Sequence, residues 1–72
     1  MKLYQRIRDL REDADKSQEE IAKIIGTSQS YYAQYENGKR AIPFDRVVIL
    51  AKYYNVSLDY LAGLTDVPKK LM

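Results

Sequence analysis

The stretch Ser17–Arg40, SQEEIAKIIGTSQSYYAQYENGKR, decides the fold. It reads as two short helices about a glycine. Ser17 and Glu20 have the S-x-x-E spacing of a capping box, in which each side chain satisfies a free amide at the helix start. Ile21, Ala22 and Ile25 recur at helical spacing and form one inner stripe. Gly26 stops this helix, being free to take positive φ. Ser28 caps a second helix from about Gln29 to Asn37, and Asn37-Gly38 ends it. Tyr32 and Tyr35 fall on its inner side, whereas Gln29, Ser30, Ala33 and Gln34 lie on the outer one.

Upstream, Leu3, Tyr4, Ile7, Leu10, Arg11 and Ala14 mark one face of a helix from Leu3 to Ala14. Arg6, Asp9, Glu12 and Asp13 fall on the other side. The acidic group Glu12, Asp13 and Asp15 opposes the helix dipole, so that end is expected to fray. Downstream, Lys39 to Ile42 is a connecting loop, and Pro43 suits the beginning of a fourth helix. Phe44, Val47, Val48, Leu50, Ala51 and Tyr54 are apolar along it. Val47-Val48-Ile49 is a β-branched run, but a lone strand has nothing to pair with, so helix is preferred. Asn55 ends this helix. Ser57 caps a last short one carrying Leu58, Leu61 and Ala62, and Gly63 closes it. Thr65 to Met72 reads as a tail, with Pro68 and Lys69-Lys70 favouring extended structure. The expected fold class is all-α, a compact bundle of five short helices.

Size and composition narrow the function. Seventy-two residues make one small domain, and a chain this short buries only about 60% of its unfolded surface. At 46% hydrophobic and 31% charged it has the balance of a folded protein. There is no cysteine and no histidine. Disulfides, thiolate metal sites and the usual general bases are therefore excluded, no cofactor or metal is expected, and an enzyme is disfavoured. The charged N-terminus lacks the apolar run of a signal peptide or membrane span, so a cytoplasmic location and no membrane partner are expected. A formal net charge of +2 only hints at a polyanionic partner; what matters is where the cations sit.

Five blocks now stand in order: Ser17-Gln18-Glu19-Glu20-Ile21-Ala22, Gly26-Thr27-Ser28, Tyr35-Glu36-Asn37-Gly38-Lys39-Arg40, Leu50-Ala51, and Val56-Ser57-Leu58-Asp59-Tyr60-Leu61. Together they resemble the helix-turn-helix domain of the Cro/C1 and Xre repressor family, over roughly Ile7 to Gly63. The resemblance implies a bundle of the lambda-repressor-like DNA-binding type, with the helix-turn-helix formed by helices 2 and 3. Residues 1–64 would be the DNA-binding domain and 65–72 a short tail, with no ligand-sensing second domain after it. It further implies sequence-specific binding of double-stranded DNA by a third helix in the major groove. Transcriptional repression by a homodimer on a two-fold symmetric operator follows from the same likeness, with no small-molecule ligand evident.

Residue roles carry over position by position. Gln18, in the first turn of the second helix, is expected to bind a phosphate with the helix-end amides. Gln29, Ser30 and Gln34, with Ala33 beside them, are the candidates for reading bases. Glutamine pairs bidentately with adenine and alanine meets a thymine methyl, which favours A·T-containing half-sites. No arginine stands at a base-reading position, so an arginine–guanine anchor is not expected. Ser28, Asn37, Lys39 and Arg40 are expected at phosphates, with the Gly38 turn between them and with Arg46 and Lys16 as weaker candidates. Tyr31 points outward, either to a phosphate or sugar or simply to solvent. Arg11 and Glu36 match a partly buried ion pair of the family. The chain departs from the pattern at Lys16, where an apolar staple is usual, so the loop at Asp15 is expected to be looser. Two alternatives stay open: an antitoxin-type autoregulator, and a protein-interaction module. For the latter, Ile24, Tyr53, Tyr54, Tyr60 and Leu64 are the candidate surface, unless they serve a dimer interface or the core.

Overall fold

The computed structural model describes residues 2–68. Among these residues there are five helices and no strand: α1 (Lys2–Asp13), α2 (Gln18–Ile25), α3 (Gln29–Glu36), α4 (Phe44–Tyr54) and α5 (Leu58–Ala62). The β-branched run of α4 is helical, with Val47 in the core. Lys69 and Lys70 lie outside the described residues.

The helix starts follow from serine. Ser17, Ser28 and Ser57 each accept a hydrogen bond from the amide three residues on, at 3.0–3.1 Å. In α2 the capping box is complete, because Glu20 also accepts from the Ser17 amide. The helix ends share one device. Among the described residues, Asp15, Gly26, Gly38, Asn55 and Gly63 have positive φ. After each, the next amide reaches back five residues, as in Thr27 N to Ala22 O (2.9 Å) and Val56 N to Ala51 O (3.0 Å). This is the Schellman closure, which satisfies carbonyls that the helix leaves free. Asp15 performs it for α1, and Lys16 N donates to Arg11 O at 3.1 Å.

One core joins the five helices. Ile7, Ile21, Ala22, Ile25, Tyr32, Tyr35, Val47, Leu50, Ala51, Val56 and Leu61 are buried, with Leu3, Leu10, Ile42, Tyr54 and Tyr60 packed around them. Four residues depart from the expected apolar faces, of which Leu58 and Ala62 are exposed on the short α5. Ala14 is exposed because the helix has already ended at Asp13, so its side chain no longer follows the periodicity. Phe44 is 70% exposed. As the first residue of α4 it sits at the rim of the bundle, above a shallow groove lined by Leu3, Ile42 and Leu58.

Arg6 is not on a solvated face as expected. Its side chain is only 12% exposed, and the guanidinium lies 4.1 Å from the Tyr60 ring centroid. It donates to the carbonyls of Tyr60 and Thr65 and, at 2.8 Å, to Asp66. The Ser57 amide donates to Pro68 O at 3.1 Å. Residues 65–68 therefore run back against α1 and α5.

Candidate nucleic-acid interface

The helix-turn-helix is built from α2, the Gly26 turn and α3. Its inner stripe, Ile21, Ala22, Ile25, Tyr32 and Tyr35, is buried. That burial turns Gln29 and Ser30 outward, both exposed, with Ala33 and Gln34 half-buried behind them on the same face. Tyr31 is 46% exposed beside Gln34. Asn37, Gly38, Lys39 and Arg40 are exposed at the following corner. Two cations, Lys39 and Arg40, and five uncharged hydrogen-bonding side chains thus share one surface with no acidic residue of α3 among them, since Glu36 turns inward.

Glu36 is the hub that fixes this helix. Its carboxylate accepts from Arg11 Nε at 2.7 Å and Arg11 Nη2 at 3.1 Å, a bidentate pair. Gln18 Nε2 adds a third donor at 3.2 Å. The side chains are 14% and 1% exposed for Arg11 and Glu36. Burial works to raise the Glu36 pKa, but the hydrogen bonds from Arg11 and Gln18 and the Arg11 charge work against it, and the carboxyl stays below its ordinary value. Burial, then the adjoining Glu36 carboxylate, pushes the Tyr32 phenol up. The first helix, the start of α2 and the end of α3 are therefore locked together through one carboxylate.

Arg11 also donates to Lys16 O at 2.9 Å, and Lys16 lies 3.9 Å from Glu20. The Asp15 loop is thus tied from both sides and does not need the missing apolar staple. Gln18 gives one N–H of its amide to Glu36 and keeps the other, while the capping box takes the amides of Ser17 and Glu20. Ser28 uses its oxygen as the α3 cap and keeps its hydroxyl proton for donation.

Two arginines hold positions that the spacing did not reveal. Arg46 reaches from α4 into the helix-turn-helix, donating to Tyr35 Oη at 2.9 Å and to the Gly26 carbonyl at 3.2 Å. It braces the turn. Arg40 folds back onto α3, with Nε 3.3 Å from Gln34 Oε1 and its guanidinium 4.4 Å from the Tyr31 centroid. Both contacts cross a chain reversal, where periodicity carries no signal.

Of the candidate interaction surface, Ile24, Tyr53 and Leu64 are exposed. Tyr54 and Tyr60 are half-buried and belong to the packing around the core. Among the described residues no helix is long and apolar enough to cross a membrane.

The Helix-turn-helix family model matches residues 7–61. An uncharacterized HTH-type transcriptional regulator, YobD of Bacillus subtilis, is 45% identical over 89% of this chain and 57% of its own length. The cryptic phage CTXphi transcriptional repressor RstR of Vibrio cholerae is 38% identical over 92% of this chain and 61% of its own. The chain thus spans about three-fifths of the length of these curated relatives. Among solved structures, the P22 c2 repressor protein in complex with a synthetic operator superposes with a TM-score of 0.76 at 26% identity, covering 85% of this chain and 92% of that one. With a match that begins at Ile7 in α1 and ends at Leu61 in α5, the chain belongs to the Cro/C1-type helix-turn-helix family.

Proposed function

We propose that this chain binds double-stranded DNA sequence-specifically through α3 in the major groove, and represses transcription as a homodimer on a two-fold operator. The observation that carries this is the outward face of α3: Gln29, Ser30, Ala33 and Gln34 on a helix whose orientation is fixed by the buried Arg11–Glu36–Gln18 cluster. Glutamine, serine and alanine are side chains that match base edges. Gln18 at the α2 start and the exposed Asn37–Lys39 corner supply the flanking phosphate grip. Residues 1–64 carry this activity. The relatives and the solved neighbour named as repressors support the direction of regulation.

Size supports the dimer. The molecule is 31 Å in its longest extent and has one helix-turn-helix. Two half-sites one helical turn, about 34 Å, apart therefore need two copies. Exposed Phe44, Ile49, Tyr53 and Leu64 supply apolar surface for their association. Selection of bound sequences from random duplex DNA tests this reading. The expected result is an enriched pair of inverted half-sites spaced by about one turn; a pool that stays random contradicts it.

A further inference from the structure

The phosphate role implied for Arg40 does not explain where its side chain lies. After Gly38 the chain doubles back, and the amides of Lys39 and Arg40 both donate to the Gln34 carbonyl, at 3.0 and 3.3 Å. This reversal lays the Arg40 guanidinium along α3. It stacks over the Tyr31 ring and hydrogen-bonds the Gln34 side chain. Tyr31 is joined by its backbone to the Ser28 cap, so the stacking platform is held by the first turn of α3. Three exposed or half-exposed side chains from positions 31, 34 and 40 thus form one row on the face that turns away from the core.

The chemistry of this row fixes the orientation of the glutamine amide. A guanidinium has five donors and no acceptor. Only the Gln34 oxygen can face it, which leaves the Gln34 NH₂ as the outward polar group. Bidentate pairing of glutamine with adenine uses both atoms: the oxygen accepts from N6 and the nitrogen donates to N7. With its oxygen turned to Arg40 and one of that oxygen's two lone pairs occupied, Gln34 presents its NH₂ outward and meets the DNA mainly as a donor. Arg40 adds the unused donors of its Nη atoms alongside. A surface of donors fits guanine, which offers two acceptors, O6 and N7, in the major groove.

We propose that Tyr31, Gln34 and Arg40 act as one reading unit that selects guanine, with Tyr31 as the platform and Arg40 as a specificity-determining residue. This rests on the DNA-binding role proposed above and deepens it. It also replaces the A·T preference that Gln34 alone would give, at that one base position.

The test compares affinities for the site selected by the unaltered protein and for the same site with the guanine pair changed to adenine. The readout is the ratio of the two, at fixed salt, for the unaltered chain and for Arg40→Ala, Arg40→Lys, Tyr31→Phe and Tyr31→Ala. The unaltered protein and Tyr31→Phe, which keeps the ring, should prefer guanine about tenfold or more. Arg40→Ala frees the Gln34 oxygen and should abolish or invert that ratio. Tyr31→Ala should reduce it, and Arg40→Lys, which keeps the charge but not the planar stack, should fall between. If Arg40→Ala weakens both sites equally and leaves the ratio unchanged, or if the selected site has no guanine under α3, the unit is overturned while DNA binding stands. If the unaltered chain selects no sequence, both proposals fall.

Discussion

At the scale of single residues, the interface divides between side chains that read and side chains that grip. Gln34 sits on the face of α3, whereas Lys39 stands beyond its end. Gln34→Ala should cost roughly 1–3 kcal/mol on the selected site and relax the preference at one base position. Lys39→Ala should weaken all sequences alike and lower the salt dependence by about two units of slope for the dimer, one per copy. Competition binding against single-base variants of the site checks both. Glu36 offers a different kind of test. Its folded-state pKa is depressed below the ordinary 4.5, so its contribution to stability is full above pH 4.5 and is lost as pH falls through the depressed value. Thermal melts taken downward from pH 5 should show that loss, and Glu36→Gln should flatten it. Glu36→Ala leaves Arg11 buried and unpaired, and should cost about 3–5 kcal/mol at neutral pH, a large part of the stability of so small a domain.

At the scale of elements, the helices end where a residue can turn left-handed. An added Cβ at Gly26 would meet nothing within 4 Å, so Gly26→Ala pays only for its φ of 78°. At Gly38 the Cβ would come 3.3 Å from the Tyr4 ring, adding a packing strain to the same backbone penalty. Denaturant melts should therefore rank Gly38→Ala below Gly26→Ala, with Gly26→Ala lower than the unaltered chain by about 1 kcal/mol. These ends were legible in the sequence, since serine caps and glycine or asparagine stops act within four residues of themselves. The stop at Asp15 was less so, because an aspartate in that conformation is an exception that the following backbone bond has to hold. The arginines were not legible. Arg6, Arg40 and Arg46 find partners 54, 6 and 11 residues away across chain reversals, and no period connects such positions. Phe44 shares the spacing of the α4 core residues but lies past the end of the bundle, where spacing says nothing about what is there to pack against.

At the scale of the whole molecule, the fold serves to hold one short helix in a fixed attitude. α3 has only eight residues, too few to be stable alone. It is held by the tyrosines Tyr32 and Tyr35 in the core, by Glu36 to α1 and α2, and through Tyr35 by Arg46 to α4. A helix anchored on all sides can present side chains to DNA at little further ordering cost. With a net charge of only +2, the chain lacks a general attraction for polyanions, so its phosphate contacts have to come from the few groups at the α2 start and the Asn37–Lys39 corner. That ties affinity to a countable set of phosphates. The measurement that tests this most directly is a titration of binding to the selected two-fold site over a range of salt concentrations. With about four to eight phosphates neutralised per dimer, log K should fall linearly against log salt with a slope of about −4 to −7. No measurable affinity for DNA at low salt would contradict the account.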